Sequence, residues 1–129
     1  KTIFMVNIEI INPGLPVVGP YNPGIKAENL IFISGQGPAQ GATNIKEQTY
    51  TTLENIKKIV EAGGGSISKI VSINVYLKNM NDFSVMNNTY KAFFNDNEVT
   101  ESYPARVTVE VSNLPLTTML IEISAIAVI

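Results

Sequence analysis

Arg106 is the only arginine in the chain; every other cationic side chain is a lysine. It opens a strand-like alternation that places Val107, Val109 and Val111 on one face and Arg106, Thr108 and Glu110 on the other. A partly sheltered guanidinium is costly unless an anion pairs with it. Its planar fork suits a carboxylate better than an ammonium does, and charge-assisted hydrogen bonds contribute roughly 1.5–3 kcal/mol each. Two anions are open: the carboxylate of a ligand, or Glu110 or Glu122 in a structural salt bridge. Glu122 is unusual in its own right, since Leu120-Ile121-Glu122-Ile123-Ser124-Ala125-Ile126 is otherwise nearly all apolar. Such surroundings raise a carboxyl pKa and can make a general acid/base near neutrality. Equally, Glu122 could point to solvent at a sheet edge or neutralise Arg106.

The chain has no Cys and no His. That excludes a disulfide framework, a thiol nucleophile, thiolate or imidazole metal sites, and Ser-His-Asp or Cys-His catalysis. The glycines at Gly35 and Gly37 follow a strand and precede a helix, but Gln40 stands where the dinucleotide fingerprint needs Gly or Ala. They either let backbone N–H groups approach a small ligand or make a turn. Asp96-Asn97-Glu98 lacks the glycine and distal Glu of a calcium loop. Tyr21, Tyr76 and Tyr90 read as packing residues on their residue type alone.

The elements that must position Arg106 and Glu122 follow from periodicity. Lys1 to Ile11 is rich in strand formers and ends at the turn Asn12-Pro13-Gly14. A short extended piece follows from Gly24 to Glu28, and Leu30-Ile31-Phe32-Ile33-Ser34 reads as a strand buried on both faces. Asn44 with Glu47 is a capping box; Leu53, Ile56 and Val60 then recur at helical spacing until Gly63-Gly64-Gly65. Val71, Ile73, Val75 and Leu77 alternate as a half-buried strand. Asn79 to Asp82 opens a second helix with Phe83, Met86, Tyr90 and Phe93 on one stripe. Strands over Arg106 to Val111 and Met119 to Ile129 close the chain. The order β-β-β-α-β-α-β-β predicts one α+β domain over residues 1–129, with a sheet and both helices on one of its faces.

Composition says what could cover the other face. Only 16% of the 129 residues are charged while 45% are hydrophobic, against roughly 25% charged for an average soluble domain. So charge-poor a surface predicts self-association. A net charge of −2 without a Lys/Arg run argues against nucleic acid or an anionic membrane as partner. No apolar run approaches a membrane span and no signal-peptide pattern opens the chain, so the expected location is cytoplasmic. The chain starts at Lys1, and Met5 is a second candidate start.

Taken together, Gly19-Pro20-Tyr21, Ile33-Ser34-Gly35-Gln36, Val75-Tyr76-Leu77, Asp82-Phe83 with Asn87 and Tyr90, Tyr103-Pro104-Ala105-Arg106, Val109-Glu110-Val111, Leu114-Pro115 and Ile121-Glu122-Ile123 form an ordered series. The series resembles the Rid (YjgF) family of enamine/imine deaminases over nearly the whole chain. The resemblance implies a chorismate-mutase-like α+β fold with a mixed β-sheet, a homotrimer, and active sites in clefts between subunits. It sets Lys1 to Phe4 apart as an N-terminal extension. It implies hydrolysis of 2-aminoacrylate, 2-aminocrotonate or their imine tautomers to 2-keto acids and ammonia, without a cofactor or metal. Such intermediates escape from pyridoxal-phosphate-dependent dehydratases.

Carried over by position, Arg106 would hold the substrate carboxylate and Glu122 would activate water and shuttle protons. Ser34 and the Gly35 backbone would line the pocket, Tyr21 would close it, and Asn87 would support it. Thr108 stands where the family often has Cys, so its backbone contacts survive and any thiol role does not. Gly37 and the short loop from Pro38 to Asn44 also depart from the family pattern, which bears on substrate preference. Two alternatives accompany this reading: a non-catalytic trimer that binds a carboxylate metabolite or a protein, and the RNA cleavage also linked to the family. The latter has little support from an acidic chain without His.

Overall fold

A computed structural model describes residues 5–129. Lys1 to Phe4, the segment set apart as an extension, lies outside the described residues. The elements are β1 (Ile8–Ile11), β2 (Gly24–Ala27), β3 (Leu30–Gln36), α1 (Ile45–Ala62), β4 (Ile70–Leu77), α2 (Phe83–Asp96), β5 (Ala105–Glu110) and β6 (Ile121–Val128), with short 3-10 turns at Ile67–Lys69 and Met80–Asp82. This is the predicted element order and the predicted α+β class. The six strands form one mixed sheet in the order β1-β2-β3-β6-β4-β5, in which only β4 and β5 pair parallel. The helices serve as the crossovers from β3 to β4 and from β4 to β5, and parallel strands need crossovers of this length.

α1 begins as its cap demands. Asn44 accepts from the Glu47 N–H at 2.8 Å, while the Glu47 carboxylate takes the Thr43 N–H at 3.4 Å and the Asn44 amide at 3.0 Å. At the other end Gly64 adopts φ +89°, a left-handed conformation that stops the helix, and the Gly65 N–H returns to the Val60 carbonyl at 2.9 Å. Gly63 serves differently: a Cβ there would lie 2.6 Å from Ile11 and 2.9 Å from Ile31, so its hydrogen lets the helix end sit on the sheet. The core lies between the helices and one sheet face, with Ile31, Leu53, Ile56, Ile73, Phe93 and Phe94 almost fully buried.

Three expectations change in detail. β3 is buried on one face only: Ile31 and Ile33 are covered, but Phe32 is 41% exposed because both helices pack on the far side. In β4 a bulge between Ile70 and Ser72 turns Val71 outward and gives the buried place to Ile70. Phe83 is partly exposed, and the buried stripe of α2 runs through Met86, Thr89, Tyr90, Phe93 and Phe94. The open sheet face carries the cross-strand row Ile10, Ile25, Phe32 and Ile126, with Val107 and Val109 farther along it. Among the described residues no helix is long and apolar enough to cross a membrane.

Candidate active site

Arg106 sits on β5, the outer strand, under α2. Its Nη2 donates to Asn87 Oδ1 at 2.7 Å, and its Cζ lies over the Tyr90 ring, 4.7 Å from the centroid, with Phe83 at 5.8 Å. Asn87 and Tyr90 are three residues apart on α2 and so share one helical face. Neither structural salt bridge forms. Among the described residues the one ion pair is Lys26–Glu9 at 4.0 Å, while Glu110 accepts from the Met80 N–H at 2.7 Å. Arg106 therefore keeps its charge without a carboxylate partner, in a cavity it shares with Asn87, Tyr90, Lys91, Tyr103 and Pro104. Thr108 lies on the same strand face with its hydroxyl buried and unbonded, as is the Tyr90 hydroxyl. Burial pushes Tyr90 up to about 12, and the Arg106 charge offsets only part of that. A phenol held there stays neutral near pH 7.

Glu122 lies on the other face of the sheet. On β4, Ile73 pairs with Arg106 and Tyr76 pairs with Glu122. Positions 73 and 76 differ by an odd step, and successive strand side chains point to opposite faces. Nor are they level: three residues separate them by about 10 Å along the strands. The two ionisable residues singled out by sequence are therefore kept apart within one chain, which rules out neutralisation of one by the other there.

Around Glu122 a cavity of about 200 Å³ is lined by Tyr21, Gly35, Gln36, Asn55 and Met119 among others. Desolvation by burial raises the Glu122 pKa above the usual carboxylate value. Gly35 leaves room for the carboxylate: an added Cβ would lie 2.8 Å from Glu122 Cδ and closer still to Oε2. The obstructed atoms belong to the far end of a flexible side chain, so Gly35→Ala should move the carboxylate rather than unfold the protein. A misplacement of about 1 Å can cost about 10²-fold in rate. Gly35→Ala is accordingly expected to lower kcat by about that factor with little change in melting temperature; kinetics beside a thermal melt would check both.

Ser34 has a more structural part than expected. Its Oγ donates to the Asn22 carbonyl at 2.6 Å and its N–H to the Pro23 carbonyl at 2.9 Å, pinning β3 to the chain that carries Tyr21. Only its oxygen lone pairs remain for a ligand, and it is not among the cavity's lining residues. Tyr21 lines that cavity, its hydroxyl accepting from the Val18 N–H at 3.4 Å.

Two contributors escaped sequence reasoning. The fully buried Gln48 donates to the Ala42 carbonyl at 3.1 Å and the Thr118 carbonyl at 2.9 Å, and accepts the Leu120 N–H at 2.7 Å. It thereby ties the Pro38–Asn44 loop to the chain entering β6, the strand that carries Glu122. Asn55 donates to the Gly37 carbonyl at 3.0 Å. Gly37 itself leaves room for Met119, whose Cε would lie 2.9 Å from an added Cβ. A polar residue near the apolar stripe of α1 was the available signal for Gln48; nothing in the local pattern marked Asn55.

Residues 13–129 match the family model described as Endoribonuclease L-PSP. A RutC family protein of Pyrococcus horikoshii is 50% identical over 116 residues, spanning 85% of this chain and 87% of that protein. The 2-iminobutanoate/2-iminopropanoate deaminase of Escherichia coli is 42% identical over 116 residues, 86% of this chain and 88% of the enzyme. Among solved structures, E. coli TdcF with bound serine superimposes with a TM-score of 0.86 at 37% identity, covering 94% of this chain and 98% of TdcF. The E. coli YjgF gene product gives 0.86 at 39%, covering 93% and 98%.

Proposed function

Because the chain belongs to the Endoribonuclease L-PSP (YjgF/Rid) family, we propose that it is an imine deaminase, converting 2-iminobutanoate, 2-iminopropanoate or their enamine tautomers to 2-keto acids and ammonia. One observation carries this reading: Arg106 is braced by its own chain yet without a carboxylate partner among the described residues, on the sheet face opposite the half-buried Glu122. A homotrimer would let an arginine from one copy meet a glutamate from the next. It would also cover the open face with its exposed Phe32, Val107 and Val109. The serine bound by TdcF carries the carboxylate that Arg106 is assigned here.

The reaction asks for little. An enamine first tautomerises to its imine, whose electron-poor C2 takes water without a covalent nucleophile. Arg106 holds the carboxylate by its fork. Glu122 takes a proton from water as the water oxygen bonds to C2, and passes it to the nitrogen, giving the carbinolamine. It then takes the hydroxyl proton and delivers it to the nitrogen as the C–N bond breaks. Both water protons leave with ammonia, and Glu122 is again a carboxylate. Its raised pKa suits a group that must both take and give a proton. Thr108 offers backbone contacts beside Arg106, and Tyr21 shields the reacting carbon. Neither cofactor nor metal has a step in this scheme.

An RNase would need an acid–base pair and a cationic track; the chain has no His and a net charge of −2. The decisive test generates imine with an amino-acid oxidase, with semicarbazide as a competing trap. Faster 2-keto acid release and less trapped imine on adding the protein is the expected result. No effect with any amino-acid precursor, while 2-keto acids still bind, would establish the non-catalytic carboxylate-binding alternative instead. RNA cleavage or salt-steep RNA binding would contradict the deaminase reading.

A further inference from the structure

We propose that Tyr90 is a positioning residue for the site, holding the Arg106 guanidinium through its ring rather than its hydroxyl. The inference rests on the reading of Arg106 as the carboxylate clamp. Arg106 is held from one helical face: the Asn87 Oδ1 accepts from Nη2 at 2.7 Å, and the Tyr90 ring lies 4.7 Å from Cζ, with the more exposed Phe83 ring farther off at 5.8 Å. A single hydrogen bond leaves a guanidinium free to pivot about it. An aromatic face against the cation removes that freedom and leaves the donors not used by Asn87 for a carboxylate.

The ring is itself rigidly backed. Tyr90 is 5% exposed, its ring centroid lies 4.7 Å from that of Phe94, and Phe94 packs edge-on against Phe93 at 5.9 Å and Tyr103 at 6.2 Å. Tyr103 also lines the Arg106 cavity, so an aromatic chain from core to cavity wall supports the arginine. The Tyr90 hydroxyl is buried close enough to Arg106 for that cation to oppose the rise in its pKa, but it makes no hydrogen bond of good geometry among the described residues. The contact with defined geometry is the ring face against the guanidinium, and Tyr90→Phe separates its part from that of the hydroxyl.

Because Arg106 is the only arginine, its side-chain Nε–Hε group gives a single, unambiguous resonance type in a nitrogen-15 spectrum. In the wild-type protein this signal should be shifted upfield by the ring current and should lose the shift in Tyr90→Leu. Calorimetry with 2-oxobutanoate should show Tyr90→Phe within about twofold of wild type and Tyr90→Leu weaker by about tenfold, the loss of a desolvated cation–π contact. Turnover in Tyr90→Leu should show that loss in KM, with kcat nearly unchanged. An unshifted wild-type signal would overturn the proposal even if Tyr90→Leu failed to fold. So would Tyr90→Phe losing as much affinity as Tyr90→Leu, since the hydroxyl would then be the functional group. If wild-type protein neither binds 2-oxobutanoate nor turns over imines, the deaminase reading fails, while the resonance still reports whether Tyr90 holds Arg106.

Discussion

Arg106→Ala is expected to lower kcat/KM for imine hydrolysis by about 10²- to 10⁴-fold while the protein remains folded. Two charge-assisted bonds to a carboxylate, at roughly 1.5–3 kcal/mol each, set that range at about 1.4 kcal/mol per decade. The fold should tolerate the change, because Arg106 lies on the outer strand and makes no ion pair among the described residues. The Asn87 amide it releases is only half-buried and can turn to water. Arg106→Lys should recover part of the activity, since the charge returns without the fork. The measurement is steady-state kinetics with 2-oxobutanoate inhibition, beside a thermal melt and gel filtration. Equal activity in Arg106→Ala would remove the arginine from the site. Dissociation of an oligomer with loss of fold would return it to a structural role.

Much of the frame was legible because it is written locally. The Asn44–Glu47 pair and the left-handed Gly64 mark both ends of α1, and each acts through atoms within a few residues of its own position. What was illegible depends on residues distant in sequence. Phe32 reads as core because an apolar residue on an open face looks, in one dimension, like one under a helix. The β4 bulge shifts which of Ile70 and Val71 is buried, and adjacent β-branched residues give no hint of it.

The separation of Arg106 from Glu122 is a further case. Each residue could be marked by its type and neighbours, but whether they share a face follows from β4 lying between their strands, and from its register with both. Neither fact is contained in the β5 or β6 segment alone. Tyr90 reads as packing by type and does pack; its second contact, across to β5, depends on how α2 docks on the sheet. Type and pattern thus identified the ionisable groups, whereas tertiary pairing decided what each can reach.

Glu122→Gln is expected to lose about 10²- to 10⁴-fold in kcat, the usual contribution of a positioned acid/base, while 2-keto acids bind nearly as tightly as before. The pH behaviour separates chemistry from scaffolding. Burial raises the Glu122 pKa, so the acid limb of the wild-type rate profile should lie above the ordinary carboxylate range and vanish in the variant. The same shift has a consequence for stability, with a definite sign. A carboxyl whose folded pKa exceeds its unfolded value is favoured in the folded state when protonated; that advantage is full below the unfolded pKa and is lost as pH rises through the folded one. At neutral pH wild-type protein therefore holds a partly desolvated carboxylate at a cost that Gln escapes. Glu122→Gln should be less active yet melt higher than wild type at pH 7, with the difference shrinking toward pH 4. A variant that loses rate and product affinity equally, or melts lower at pH 7, would make Glu122 a scaffold residue instead. The predicted opposition between activity and stability is what a partly desolvated carboxylate kept for proton transfer should produce.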